Sequence, residues 1–373
     1  MNRTIKRAPI VRLPPKSNIE IVIARSAQVS MIIVGILAVI AALYAGRFIL
    51  SPILLGITIG LMLGPFAIRV ERHGIPPSVS GALVVLIFVG LLSALVFAVA
   101  TPLSFWIERI PTILTDLRLR LTEFQGPIDT IRTMREQVRS VTGGGEGLTV
   151  SVDDNSAVAN LATLAPGVIA QILLFFASLY FFIATRHETR AATLKLCIKR
   201  RLRWRVAHIF RDIERLVSRY LLSITLINVA HGVAVVVAMW AIDVPSPMLW
   251  GAIATIFNFV PYLGPALTGV ILFAVGLAEF DTLTGSLLPV IIYLAIHFTE
   301  AQFVTPMVIG RAMTLNPFAV LIALAFWIWL WGPIGGFIAI PALLILYAIF
   351  WNLIPGMAGV TSPSSNPHQG RIA

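Results

Sequence analysis

The stretch "HFTEAQ" sets His297 and Glu300 three residues apart, with Thr299 and Gln302 beside them, inside an otherwise apolar run. Residues three apart share one face of a helix, so imidazole and carboxylate can meet. Such a pair can trade a proton near neutral pH, because the imidazole titrates in that range and responds to a neighbouring carboxylate. Asn228 and His231, also three apart, give an earlier apolar run a second polar spot. Ionisable groups inside apolar spans are costly, which makes them candidates for a solute or ion pathway. Each has a structural alternative: Glu300 as partner of a basic or backbone group, His231 as a hydrogen-bonded helix contact.

Two interruptions supply the other candidates. "NFVPYLGP" (258–265) holds Asn258, Pro261, Tyr262, Gly264 and Pro265, and "WGPIGG" (331–336) holds Gly332 and Pro333. Proline and glycine at this density specify turns. Backbone groups freed at membrane depth are tolerated only when buried in protein or lining a wet cavity. Asn258 and Tyr262 either pin such a turn or touch solute. Trp327, Trp329 and Trp331 either pack and anchor or stack on a sugar-like ligand.

The elements that must position these residues follow from composition. Of 373 residues, 58% are hydrophobic and only 12% charged, and mean hydropathy is +0.90. Soluble domains carry about twice that share of charge. Several runs approach the roughly 20 residues needed to cross a bilayer as helix. The expected fold is an all-α polytopic membrane protein. It has about six crossing helices plus two Gly-Pro-broken re-entrant hairpins in an inverted repeat, with an amphipathic helical arm.

Along the chain, a basic tail (1–28) precedes N-terminal membrane helices (29–103). An arm and loop (104–163) follow, with apolar residues at helical spacing from Trp106 to Val138 and then "GGGEG" (143–147). The arm's stripe favours a subunit contact over the membrane surface. A membrane helix (164–185) leads to a basic segment (186–219). Next come a membrane helix plus the first hairpin (220–285), a membrane helix plus the second (286–351), and a flexible tail (352–373). Pro247 precedes Gly264 by 17 residues and Pro317 precedes Gly332 by 15, each block following one crossing helix. Transporters with inverted repeats bind solute where such broken segments meet.

Charge sets the expected orientation. Residues 1–26 carry six Lys/Arg against one acid and residues 186–219 eleven against three, whereas residues 104–163 carry six against eight. Cytoplasmic loops are the basic ones, so the N-terminus is expected in the cytoplasm and the arm outside. The net charge of +11 thus points to lipid headgroups rather than nucleic acid. No secretory signal peptide is expected. The single cysteine, Cys197, excludes an internal disulfide. Nucleotide-loop, GxSxG and HExxH patterns and Cys/His metal spacings are all lacking. We therefore expect no enzyme activity, metal or cofactor, and energy drawn from an ion gradient or downhill flow.

The stretches "FNFVPYLGPALTG" (257–269), "TEAQFVTPMVIGRAMTLNPFAVLIALAFWIWLWGPIGGFIAIP" (299–341) and "ILSPILLGITIGLMLGPFAIRVERHGIP" (49–76) together resemble one family. It is the autoinducer-2 exporter family of bacterial and archaeal permeases. Pro261, Gly264 and Pro265 match its first motif, and Glu300, Pro306, Gly310 and Pro317, the last preceded by Asn316, match its second. The chain departs at Phe257, where many relatives have proline, and at Pro333, which relatives often lack. The resemblance implies a homo-oligomeric, multi-pass permease of the bacterial or archaeal inner membrane. Some members are tied to export of autoinducer-2 and others to sodium or proton exchange. The leading expectation is export of a small polar solute by alternating access. A monovalent cation/proton antiporter using His297 and Glu300 is the alternative, and a non-transporting membrane scaffold the third.

Overall fold

The computed structural model describes residues 18–123, 154–280, 282–309 and 316–353. Those residues form helices joined by short turns, with no strand among them. Among the described residues, seven helices are long and apolar enough to cross a membrane, and three apolar helices are shorter. The protein is an all-helical polytopic membrane protein.

The chain divides into two units, Met1–Leu50 and Ser51–Ala373. The first holds α1 (Asn18–Ala45), whose apolar residues, among them Met31, Val34 and Leu37, are exposed. A helix apolar all round suits lipid rather than water. α2 (Arg47–Glu71) starts just after Gly46 and keeps Pro52 and Pro65 inside it. Prolines are tolerated in membrane helices where neighbouring groups re-satisfy the freed carbonyls.

In the second unit α2 packs on α4 (Asp154–Leu196) through Gly56, Gly60 and Gly64. A Cβ on Gly56 would lie 2.9 Å from the Phe175 carbonyl, so only glycine permits this approach. In lipid, helices associate by such close packing rather than by a hydrophobic drive. A polar clasp closes the same pair: Arg186 donates to Glu71 at 2.6 Å and to the Gly64 carbonyl at 3.0 Å. Ile59, Met62, Leu179, Ile183 and Leu221 form the adjoining core.

α3 (Pro77–Glu123) merges the third membrane span and the described part of the arm into one helix, despite Pro102 and Pro111. The arm's first residue, Trp106, is buried against Trp250 with ring centroids 4.9 Å apart, and Arg109 pairs with Glu279 at 2.6 Å. The rest of the arm, with Phe124 to Val138, lies outside the described residues.

α5 (Arg200–Ala241) is basic in its first turns and apolar thereafter, and its buried stripe runs through Val217, Leu221, Asn228, His231, Val235 and Met239. α6 (Pro247–Phe257) and α7 (Leu263–Glu279) flank the first interruption. At about 1.5 Å per residue, α6 is only ~16 Å long, about half of a hydrocarbon core. α8 (Leu283–Thr299) packs on α7 and α5 and runs into a π turn (Glu300–Val304) and the short α9 (Thr305–Ile309). α10 (Pro317–Trp331) and α11 (Pro333–Leu353) flank the second interruption and pack along one another.

Candidate functional site

Three elements converge on one buried polar cluster. α5 supplies Asn228 and His231, the end of α6 supplies Asn258, and the α8–π junction supplies His297 and Glu300. Relative exposures are 0% for Asn228, 3% for His231, 9% for Asn258 and 8% for Glu300. α5 and α6 approach closely because Gly232 and Gly251 face each other, each lying 2.6 Å from the other's carbonyl oxygen if given a Cβ. That crossing carries Asn258 to Asn228.

The Asn258 amide donates to Asn228 Oδ1 at 2.9 Å and to Glu300 Oε2 at 3.3 Å. Around the same carboxylate, His297 Nδ1 lies 3.5 Å and His231 Nδ1 4.0 Å from Oε2. The Thr305 hydroxyl donates to Oε1. Tyr293 stacks on the His297 ring at 6.2 Å and meets His231 edge-on at 5.7 Å. Both nitrogens of His231, Nδ1 of His297 and Nδ2 of Asn228 are buried without a hydrogen-bond partner. Unpaired buried polar atoms are rare in native folds, and several together point toward a ligand. A cavity of about 480 Å³, lined in part by His231, Thr299, Glu300 and Ile296, adjoins them.

The π turn explains how Thr305 reaches Glu300. The Thr305 amide bonds the Glu300 carbonyl, a five-residue step that places the two side chains together. Pro306 follows and has no amide to donate, which disfavours a regular α turn there. Such bulges recur at functional sites. Helical spacing alone hides this partner, so Thr305 escapes a sequence reading. Tyr293, four residues before His297, was within reach of one.

Pro261 and Tyr262 lie in the turn between α6 and α7, and Gly264 and Pro265 fall in the first turn of α7. Tyr262 has φ +66° and is exposed, and Gly264 is buried. A Cβ on Gly264 would collide with the Phe257 carbonyl. Gly335 repeats this geometry against the Trp327 carbonyl, which makes it the packing counterpart of Gly264. Gly332 ends α10 with φ +64°, a conformation suited to glycine, and Pro333 opens α11. The two turns touch: Phe259 and Phe337 have ring centroids 5.3 Å apart, and a Cβ on Gly336 would lie 3.0 Å from Val260. Gln302 and Pro306 are exposed, outside the hydrogen-bonded cluster. Asn316 caps α10 by accepting from the Phe318 amide at 2.9 Å, ahead of Pro317. Gly310 lies outside the described residues.

Comparison with known proteins decides the family, because the profile described as "AI-2E family transporter" matches residues 32–354. The chain belongs to the AI-2E transporter family. It is 24% identical over 326 residues to the AI-2 transport protein TqsA of Escherichia coli (strain K12), covering 85% of this chain and 90% of that one. It is 23% identical over 316 residues to the "Putative transport protein YhhT" of the same organism, covering 82% and 85%. The "Putative transport protein MT0215" of Mycobacterium tuberculosis is 24% identical over 351 residues, 88% of each chain. As an AI-2E family member, this chain is a membrane transporter, and the cluster is its candidate solute or ion site.

Proposed function

We propose that this AI-2E family transporter exports a small polar solute by alternating access, with Asn228, His231, Asn258, His297 and Glu300 forming the binding site. The observation that carries this reading is the group of unpartnered buried donors and acceptors beside a cavity of about 480 Å³. They lie where the first broken segment meets two crossing helices. An autoinducer-2-like signal is the substrate suggested by the name of the relative TqsA. The two interrupted segments act as re-entrant hairpins whose turns, in contact at Phe259 and Phe337, move against the long helices. The chain works without catalysis in a bacterial or archaeal inner membrane, N-terminus inside, as a homo-oligomer joined through the arm. Labelled autoinducer-2 offered to everted vesicles tests the reading. Protein-dependent accumulation is expected, and uptake equal to that of empty vesicles sinks this substrate.

A second reading, exchange of a monovalent cation for protons, draws on the two imidazoles at 3.5 and 4.0 Å from the Glu300 carboxylate. A buried carboxylate beside two imidazoles can release a proton as a cation arrives. Glu300→Gln is then expected to abolish sodium-dependent proton movement in everted vesicles, and an unchanged pH-dye response rejects exchange at this site. The scaffold reading leaves the unpartnered buried nitrogens of His231 and His297 without a role.

A further inference from the structure

We propose that His231, His297 and Glu300 form a binding site for a divalent transition-metal ion of the zinc class, with the adjoining cavity supplying the fourth ligand. The inference rests on reading this cluster as the ligand site and names a ligand that motif spacing does not suggest. One ligand atom from each residue can be chosen so that all lie within 4.8 Å of one another. Zinc bonds of about 2.0–2.2 Å to nitrogen and oxygen set tetrahedral ligand atoms ~3.3–3.6 Å apart. The His297–Glu300 separation of 3.5 Å already meets that figure, and the His231–Glu300 separation of 4.0 Å needs a shift of a few tenths of an ångström.

The donor set fits the ion. Two imidazoles and one carboxylate with an open fourth position are a zinc pattern, whereas magnesium and calcium prefer all-oxygen sites. The nitrogens required are the buried atoms that lack hydrogen-bond partners. One outer contact of the kind that orients metal ligands is present. The Thr305 hydroxyl holds the other carboxylate oxygen. The ring of Tyr293 lies parallel to His297 within 13° and nearly perpendicular to His231, at 84°. The 3.3 Å contact from Asn258 is the long hydrogen bond on Oε2 and the one an arriving ion displaces. A divalent ion facing a single carboxylate keeps one positive charge, so the cavity beside it, lined mostly by apolar side chains, must admit the water or anionic solute that completes the shell.

Cobalt(II) in place of zinc tests this on the full chain purified in detergent and stripped with chelator. One Co²⁺ per chain with the intense visible bands of tetrahedral coordination is expected, and added Zn²⁺ should erase those bands. His297→Ala, at a side chain 27% exposed, and His231→Gln should each weaken binding by more than the ~10–100-fold typical of losing an outer partner. His187→Ala and His208→Ala, at exposed helix positions elsewhere, should leave the bands unchanged. Absence of tetrahedral bands in the unaltered chain overturns the site, as does their survival in both cluster variants when size-exclusion profiles stay normal. The outcome separates from transport: vesicles that fail with autoinducer-2 while the bands appear remove the solute and keep the metal. Transport that requires Glu300 in a chain without bands does the reverse.

Discussion

The two interrupted segments share a backbone device and differ in chemistry. In the first, Gly264 admits the Phe257 carbonyl, and in the second Gly335 admits the Trp327 carbonyl in the same way. The residue after that carbonyl is Asn258 in one and Ile328 in the other. Asn258 reaches Asn228 and Glu300, whereas Ile328 packs against Gly336 within its own segment. The helix arms differ too: α6 and α7 have 11 and 17 residues where α10 and α11 have 15 and 21, and at about 1.5 Å per residue α11 is the arm long enough to span the hydrocarbon alone. The backbone device thus occurs twice and the polar contact once. Under the proposed function, the first segment presents the polar group and the second shares only the turn.

The largest effects should fall on the shared device. Gly264→Val and Gly335→Val each drive a side chain into a backbone carbonyl with no room to yield. Each should cost more than the 1–3 kcal/mol typical of overpacking, seen as loss of folded protein after detergent extraction. Equal losses uphold the equivalence of the turns, and a tolerated Gly335→Val breaks it. The next effect divides the two. Asn258→Ile strips donors from Asn228 and Glu300 and leaves buried polar atoms at a cost of about 1–3 kcal/mol each, so vesicle transport should fall roughly a hundredfold. Ile328→Asn, the reciprocal change, puts an amide with no designed partner at a half-buried position. It should lower thermal stability by a similar amount, yet the folded fraction should transport at the normal rate. Loss of transport in that folded fraction would dissolve the distinction drawn between the segments.

Much of this was legible in the sequence because it rests on local signals. Hydropathy fixed the membrane helices, and Pro261, Gly264, Gly332 and Pro333 marked both interruptions, since proline and glycine act on the backbone wherever they stand. Spacing of three residues paired His297 with Glu300 and Asn228 with His231. Convergence of the two pairs with Asn258 was not legible. It depends on the Gly232–Gly251 crossing, and nothing local says which glycine meets which. The same holds for Gly335, which "WGPIGG" hides among neighbouring glycines, whereas the Gly56, Gly60 and Gly64 stripe carries a readable packing signal in its spacing of four. Trp106 looked like the start of an arm, and contact with Trp250 makes it core.

The smallest predicted effect tests the π turn that completes the polar side of this comparison. Thr305 follows Glu300 by five residues, a spacing that in a regular α-helix turns side chains apart, and here its hydroxyl donates to Oε1. Thr305→Val keeps the branched shape and removes only that donor. One hydrogen bond to a charged group contributes about 1.5–3 kcal/mol where fully formed and less where water can substitute. The bond is only partly buried, so transport should fall only about threefold to tenfold, a loss of ~0.7–1.4 kcal/mol. Thr305→Ser restores the donor without the methyl group and should transport at close to the normal rate. If both variants lose equally, Thr305 acts by shape and the π turn serves packing. If only the valine variant loses, the irregular turn exists to bring a hydroxyl to the carboxylate, a contact for which the second segment offers no counterpart at Ile328.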